Sequence, residues 1–166
     1  MFYILESEKQ LNRLQLLGRL GGYVQVIPSN FNYHPKLTST IAVYLRPLKS
    51  KYGYIIPIDH NDGLNVDKNR VYELLKEFKT LYTIDKKELL YHFNIQESID
   101  VSLLNTMVNY EKLEYSNNTS LINHFYNKHK IKNTNKIIPL PKLYENCEKI
   151  YDKVEKLLDV EVPSGF

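Results

Sequence analysis

The sequence predicts an α/β or α+β domain: a small mixed sheet, opening as a three-stranded antiparallel meander and extended by parallel strands, flanked by helices. Three observations carry this prediction. Three short β-rich runs separated by turns lie between Tyr23 and Ile58. From Asn65 onward the apolar spacing becomes helical, and a short apolar run then returns between two helical stretches. The chain has 166 residues, 43% hydrophobic and 25% charged, which is the composition of one globular domain with one core, residues 1–166.

The elements follow in order. Glu6 to Leu20 carries Leu11, Leu14, Leu16, Leu17 and Leu20 near helical spacing, with Ser7 as its cap and Gly21-Gly22 as its stop. Tyr23 to Pro28 alternates and is β-rich. A polar turn leads to a second strand, Thr40 to Leu45, and the turn Pro47 to Lys51 leads to a third, Tyr54 to Ile58. Val71, Leu74, Leu75 and Phe78 then mark one face of an amphipathic helix. Leu81 to Ile84 reads as a strand. Asp85 and Glu88 form a capping box for a helix over Lys86 to Phe93. Ile99 marks a minor strand before a helix bearing Leu103, Leu104 and Met107. Two more helices are expected, Ser120 to Lys128 and Pro141 to Leu158. The last has Tyr144, Cys147, Tyr151, Val154 and Leu158 on one face.

Charge is mild in total, +3, but uneven. No Asp or Glu occurs between Glu8 and Asp59, while Lys9, Arg13, Arg19, Lys36, Arg46, Lys49 and Lys51 all fall there, so the first third is cationic. The single cysteine, Cys147, excludes an internal disulfide and suits a reducing compartment. The N-terminus does not read as a signal peptide, and no apolar run is long enough to span a membrane. A cytoplasmic protein without a membrane partner is therefore expected. The richness in Lys, Asn, Ile and Tyr is that of an AT-rich genome.

Several chemistries lack their residue patterns. His124 and His129 are not at metal-ligand spacing, and the five histidines are expected in the core or on the surface. Gly18, Gly21 and Gly22 follow a helix rather than a strand, which fits no phosphate-binding loop. Cys147 sits on the apolar face of its helix as an inert thiol. The basic run Lys128, Lys130, Lys132 with Lys136 beyond is either a solvated loop or a phosphate contact.

The ordered landmarks resemble a known family. Gly53-Tyr54-Ile55-Ile56-Pro57-Ile58-Asp59-His60, Leu64 with Val71 to Lys76, Tyr82 to Leu90, Ile99-Asp100 with Leu103-Leu104, Ser120 to Tyr126, and Tyr144-x-x-x-Glu148 follow one another as in the ribonuclease H-like 3′–5′ exonuclease domain of family A, Klenow-type DNA polymerases. The resemblance spans roughly residues 22 to 158. It implies four carboxylates holding two divalent metals that activate water and stabilise the leaving oxygen. The Asp-x-Glu of the first strand would fall on Gln25 and Ile27, or on Ile27 and Ser29, and is absent in either register. The second motif's Asp falls at Glu88 or Leu89. The third motif keeps Tyr144 and places Glu148, one methylene longer, where Asp is expected.

What the resemblance implies is thus an exonuclease fold with degenerate motifs at Gln25, Ile27, Glu88, Leu89, Tyr144 and Glu148, without a catalytic set and without a metal of its own. Its partner would be the remainder of a DNA polymerase chain. Single-stranded or primer-template DNA would be held weakly through Lys36, Arg46, Lys49 and Lys51, and through Lys128, Lys130 and Lys132. Two alternatives stay open: a divergent active nuclease using Mg²⁺ on Asp59, Glu88, Asp100 or Glu148, and a non-catalytic protein-interaction module.

Overall fold

The fold is taken from a computed structural model, which describes residues 3–17, 20–30, 34–109 and 135–159. Helix α1 runs over Glu8–Leu17, two residues inside the expected start. The shift has a local cause. Ser7 Oγ accepts from the Gln10 amide at 3.3 Å, while Gln10 Oε1 accepts from the Glu6 and Ser7 amides at 2.9 and 3.2 Å, a reciprocal cap that fixes where the helix begins.

Strands β1 (Gly22–Pro28), β2 (Thr40–Pro47) and β3 (Tyr54–Pro57) form the antiparallel meander. Helix α2 (Lys68–Lys76) is capped by Asp67, and it buries Val71, Leu74 and Leu75 as their spacing requires. Strand β4 (Leu81–Thr83) precedes α3 (Lys86–Phe93), and β5 (Ile99–Asp100) precedes α4 (Val101–Asn109). Helix α5 covers Leu140–Val154, and the chain tightens into a 3₁₀ turn over Glu155–Asp159. The expected helix over Ser120 to Lys128 lies outside the described residues.

The sheet order is β3-β2-β1-β4-β5, with β4 parallel to β1 and β5 parallel to β4. The fold class is therefore the expected one, a mixed α/β sheet with a meander on one side and parallel strands on the other. Alternation sends Tyr23, Ile27, Ala42, Tyr44 and Ile55 to one face, where Leu143, Cys147, Ile150, Tyr151 and Val154 of α5 cover them. Val24, Val26, Val43, Leu45 and Ile56 face the other way, onto α1, α2 and α3. Every residue of β1 is buried, as befits a central strand covered on both faces. The carboxylate-free stretch thus includes the middle of the sheet, where an unpaired ionised side chain would cost several kcal/mol, about the stability of a small domain.

Two glycines are set by contacts. Gly22 faces the Phe78 ring, which a Cβ would approach to 2.8 Å. At Gly53 an added Cβ would lie 2.3 Å from the Tyr44 hydroxyl, so the ring of Tyr44 passes over this residue only because it has no side chain.

Candidate functional site

Sheet alternation places Gln25 and Ile27 on the face that α5 covers, together with Tyr44 and Arg46 of the neighbouring strand. Neither of the first two is open to solvent. Gln25 is 3% exposed and accepts a hydrogen bond from the Tyr23 hydroxyl at 2.9 Å, and Ile27 is 1% exposed within the apolar layer. In the other register Ser29 supplies only a hydroxyl, which accepts from the Ser39 amide at 3.1 Å.

Tyr144 and Glu148 are brought together one turn apart on α5, and β2 closes around them. The Tyr144 hydroxyl donates to Glu148 Oε1 at 2.6 Å. The Tyr44 hydroxyl donates to Oε2 of the same carboxylate, and Arg46 Nη1 meets that oxygen at 2.9 Å. The rest of the guanidinium is held by the carbonyl oxygens of Ser50 and Lys51, and it lies 4.0 Å from the centroid of the Tyr151 ring. Burial, reinforced by the Glu148 carboxylate, raises the Tyr44 and Tyr144 hydroxyls above the ordinary phenol range, so both remain donors. Arg46 was expected to meet phosphate. It is instead 8% exposed, with its donors directed inward onto Glu148 and two carbonyls.

The second-motif positions lie elsewhere. Leu89 is fully buried in the opposite core layer, beneath α1 and α2. Glu88 is half-buried on α3. Burial, with the Asp85 carboxylate nearby, pushes its carboxyl up to about 8. Asp85 caps α3, accepting from the Lys87 and Glu88 amides at 3.0 and 3.4 Å. No reciprocal bond from the Glu88 side chain completes the expected box among the described residues. Asp100 acts as a cap too, receiving the Leu103 amide at 3.0 Å and the Lys86 amide at 3.3 Å. Asp59 pairs with Lys136 at 2.9 Å.

Of the remaining candidates, Lys36, Lys49 and Lys51 are exposed. Lys49 takes a left-handed conformation, φ 67°, at the tip of the β2–β3 turn. Lys128, Lys130 and Lys132 lie outside the described residues. Among the described residues the histidines have structural partners, while His124 and His129 lie outside them. His60 Nδ1 accepts from the Asp62 amide at 2.9 Å, and its Nε2 lies 2.7 Å from the Ile138 carbonyl oxygen. His92 sits between the hydroxyls of Thr38 and Thr40 at 3.0 and 2.7 Å, and burial lowers it to about 4. Cys147 is 2% exposed, and burial raises its thiol well above the usual range, consistent with an inert core residue.

The donor set does not fit the two divalent ions that the resemblance implies. Mg²⁺ requires hard oxygen ligands, chiefly carboxylates. Here β1 offers a buried amide and a sec-butyl group, and Glu148 already faces a guanidinium. Among the described residues no three His, Cys, Asp or Glu side chains are grouped as ligands. What sequence reasoning missed was the partner of Glu148. The signal was present in strand phase, since Arg46 alternates with Tyr44 and Ala42 toward the covered face.

No family model and no curated protein matches the chain. Among solved structures it is similar to the EXO domain of Nibbler from Aedes aegypti, with a TM-score of 0.50 and 13% identity. The match covers 93% of this chain and 87% of that chain. The likeness is one of fold alone, and it agrees with a ribonuclease H-like mixed α/β sheet. Among the described residues no helix is long and apolar enough to cross a membrane.

Proposed function

We propose that residues 1–166 form a catalytically silent 3′–5′ exonuclease-like domain of a family A DNA polymerase, serving as a scaffold and as a weak DNA-holding surface in replication. The observation that carries the silent reading is the pairing of Glu148 with Arg46. The carboxylate at the third-motif position faces a permanent organic cation where the resemblance would have it face a metal. The buried Gln25 and Ile27 support the same reading, because neither can supply an anionic ligand. The polymerase context rests on the ordered landmarks from Gly53 to Glu148, and a cytoplasmic setting on the lone cysteine.

In this reading Lys36, Lys49 and Lys51 are the exposed cations of the surface, Lys128, Lys130 and Lys132 extend it in the sequence, and Arg46 has an internal role. Incubation of the chain with an end-labelled single strand and Mg²⁺ or Mn²⁺ tests the silent reading. No shortening of the strand is expected with either ion. Metal-dependent cleavage abolished by Glu88→Gln or Glu148→Gln would overturn it in favour of the divergent nuclease. Salt-dependent DNA binding tests the surface, and its absence would favour a protein-interaction module.

A further inference from the structure

A cleft of about 500 Å³ opens beside β3, between α1 and α5, and Tyr3, Tyr52, Tyr54, Tyr144, Gln10 and Arg13 line it together with two leucines. Among the described residues no acidic side chain lines it. Tyr3 and Tyr144 stack face to face, with ring centroids 4.0 Å apart and planes 18° from parallel. Tyr52 is 55% exposed at the mouth. Arg13 is exposed on α1 and has no ion-pair partner among the described residues. The β2–β3 turn that ends in Tyr52 carries Lys49 and Lys51, both exposed, so a basic strip leads to an aromatic recess.

The platform is rigid for a reason already described. Glu148 accepts from the Tyr144 hydroxyl, and Arg46 fixes Glu148. The pair at the degenerate motif therefore orients the ring that stacks on Tyr3. All but Tyr144 of the polar and aromatic lining comes from the first third of the chain, where the carboxylate gap lies. Aromatic faces beside unpaired cations, with no carboxylate to repel phosphate, are the chemistry that holds single strands: bases stack and the backbone is neutralised.

We infer that this cleft is a single-stranded DNA subsite, in which bases stack on Tyr52 and on the Tyr3–Tyr144 pair while Arg13, Lys49 and Lys51 meet the phosphates. The inference deepens the DNA-holding part of the proposed function and rests on it; it needs neither nuclease activity nor a metal. Duplex DNA, whose bases are already stacked, is excluded from the recess.

The test is fluorescence anisotropy of labelled oligo-dT with the full chain at low salt, with an abasic strand of equal length and free dTMP as competitors. Tyr52→Ala is expected to weaken oligo-dT binding about tenfold, and Tyr52→Phe to retain it. Tyr52 is exposed, so neither variant threatens the fold. The abasic strand should bind the parent and Tyr52→Ala alike, both weakly, and Arg13→Ala should weaken both strands. Equal binding of oligo-dT by the parent and Tyr52→Ala, or of abasic and base-bearing strands by the parent, would overturn the subsite. Salt-dependent binding would then still leave the general cationic surface standing. No binding by any form would overturn both proposals. Free dTMP competing as well as the strand would replace a strand subsite with a mononucleotide pocket.

Discussion

Arg46 and Glu148 lie 102 positions apart and meet at 2.9 Å between β2 and α5, with side chains 10% and 23% exposed. A pair this sheltered is costly to half-remove, because the survivor is left charged in a poorly solvated place. Arg46→Met should lower unfolding free energy by about 3 kcal/mol in urea titrations. Arg46→Met with Glu148→Leu should lose less than the sum of the single variants. Strict additivity would show that the two residues do not act as a pair.

Gly53 underlies the same network. A methyl group there would meet the Tyr44 ring and hydroxyl at 2.3 to 2.4 Å, and Tyr44 is fully buried with no room to swing. Gly53→Ala should therefore cost about 2–3 kcal/mol through overpacking. Adding Tyr44→Leu should recover part of that loss in the same denaturation measurement, which a purely local backbone effect at Gly53 would not allow.

Glu88 gives the molecule a pH dependence of unusual sign for a carboxylate. Its folded value of about 8 stands above the ordinary 4.5, so the folded state keeps a proton that the unfolded chain has released. Stability contributed by this group is complete below about pH 4.5 and is lost as pH rises toward 8. Solvent at the half-buried carboxyl trims the effect, and Glu88→Gln should be about 2 kcal/mol more stable than the parent at pH 9. Chemical denaturation at pH 5 and pH 9 reads the difference; equal stability gains at both values would count against this origin.

His92 works in the opposite direction. It is held neutral between Thr38 and Thr40, first by burial and also by the Lys68 charge, and its value falls from 6.5 to about 4. The unfolded chain takes up a proton below 6.5 that the folded protein refuses, so stability is lost as pH falls from 6.5 to 4. The loss should approach about 3 kcal/mol, since the side chain is only 6% exposed. His92→Gln should lower stability at pH 7 yet flatten this acid limb, as followed by thermal melts.

Much of this arrangement could be read from spacing. The i, i+3, i+4, i+7 spacing of Val71, Leu74, Leu75 and Phe78, on and just beyond α2, and the Asp85 cap of α3 are local relations, and they stand where the sequence pattern places them. Helix α5 shows where a one-dimensional pattern blurs. Leu140, Leu143 and Ile150 share its buried side with Cys147, Tyr151 and Val154, whereas Tyr144 and Leu158 are only half-buried. Arg46 was misread because charge suggests solvent, and nothing local to β2 names a partner on α5. Strand phase gives the covered face that Arg46 shares with Tyr44 and Ala42, but which residue of α5 it meets there is decided by how the helix crosses the sheet.

Introducing carboxylates into β1 tests how firmly this centre is core. Ile27→Glu places an ionisable group where the isoleucine is 1% exposed and packed under α5, and Gln25→Asp puts a shorter, ionisable side chain in place of the amide that accepts from the Tyr23 hydroxyl, at a site 3% exposed. Among the described residues Arg46 is the cation on this face of β2, and it is engaged by Glu148. Each variant should lose about 3 kcal/mol or more, and the double variant should fail to fold cooperatively at neutral pH. A latent metal site would behave oppositely, with Mg²⁺ or Mn²⁺ rescuing the double variant by satisfying its new carboxylates. Thermal melts with and without each ion distinguish the two: metal-independent destabilisation is expected, and a metal-dependent recovery would show that a ligand-competent cavity still exists beneath α5.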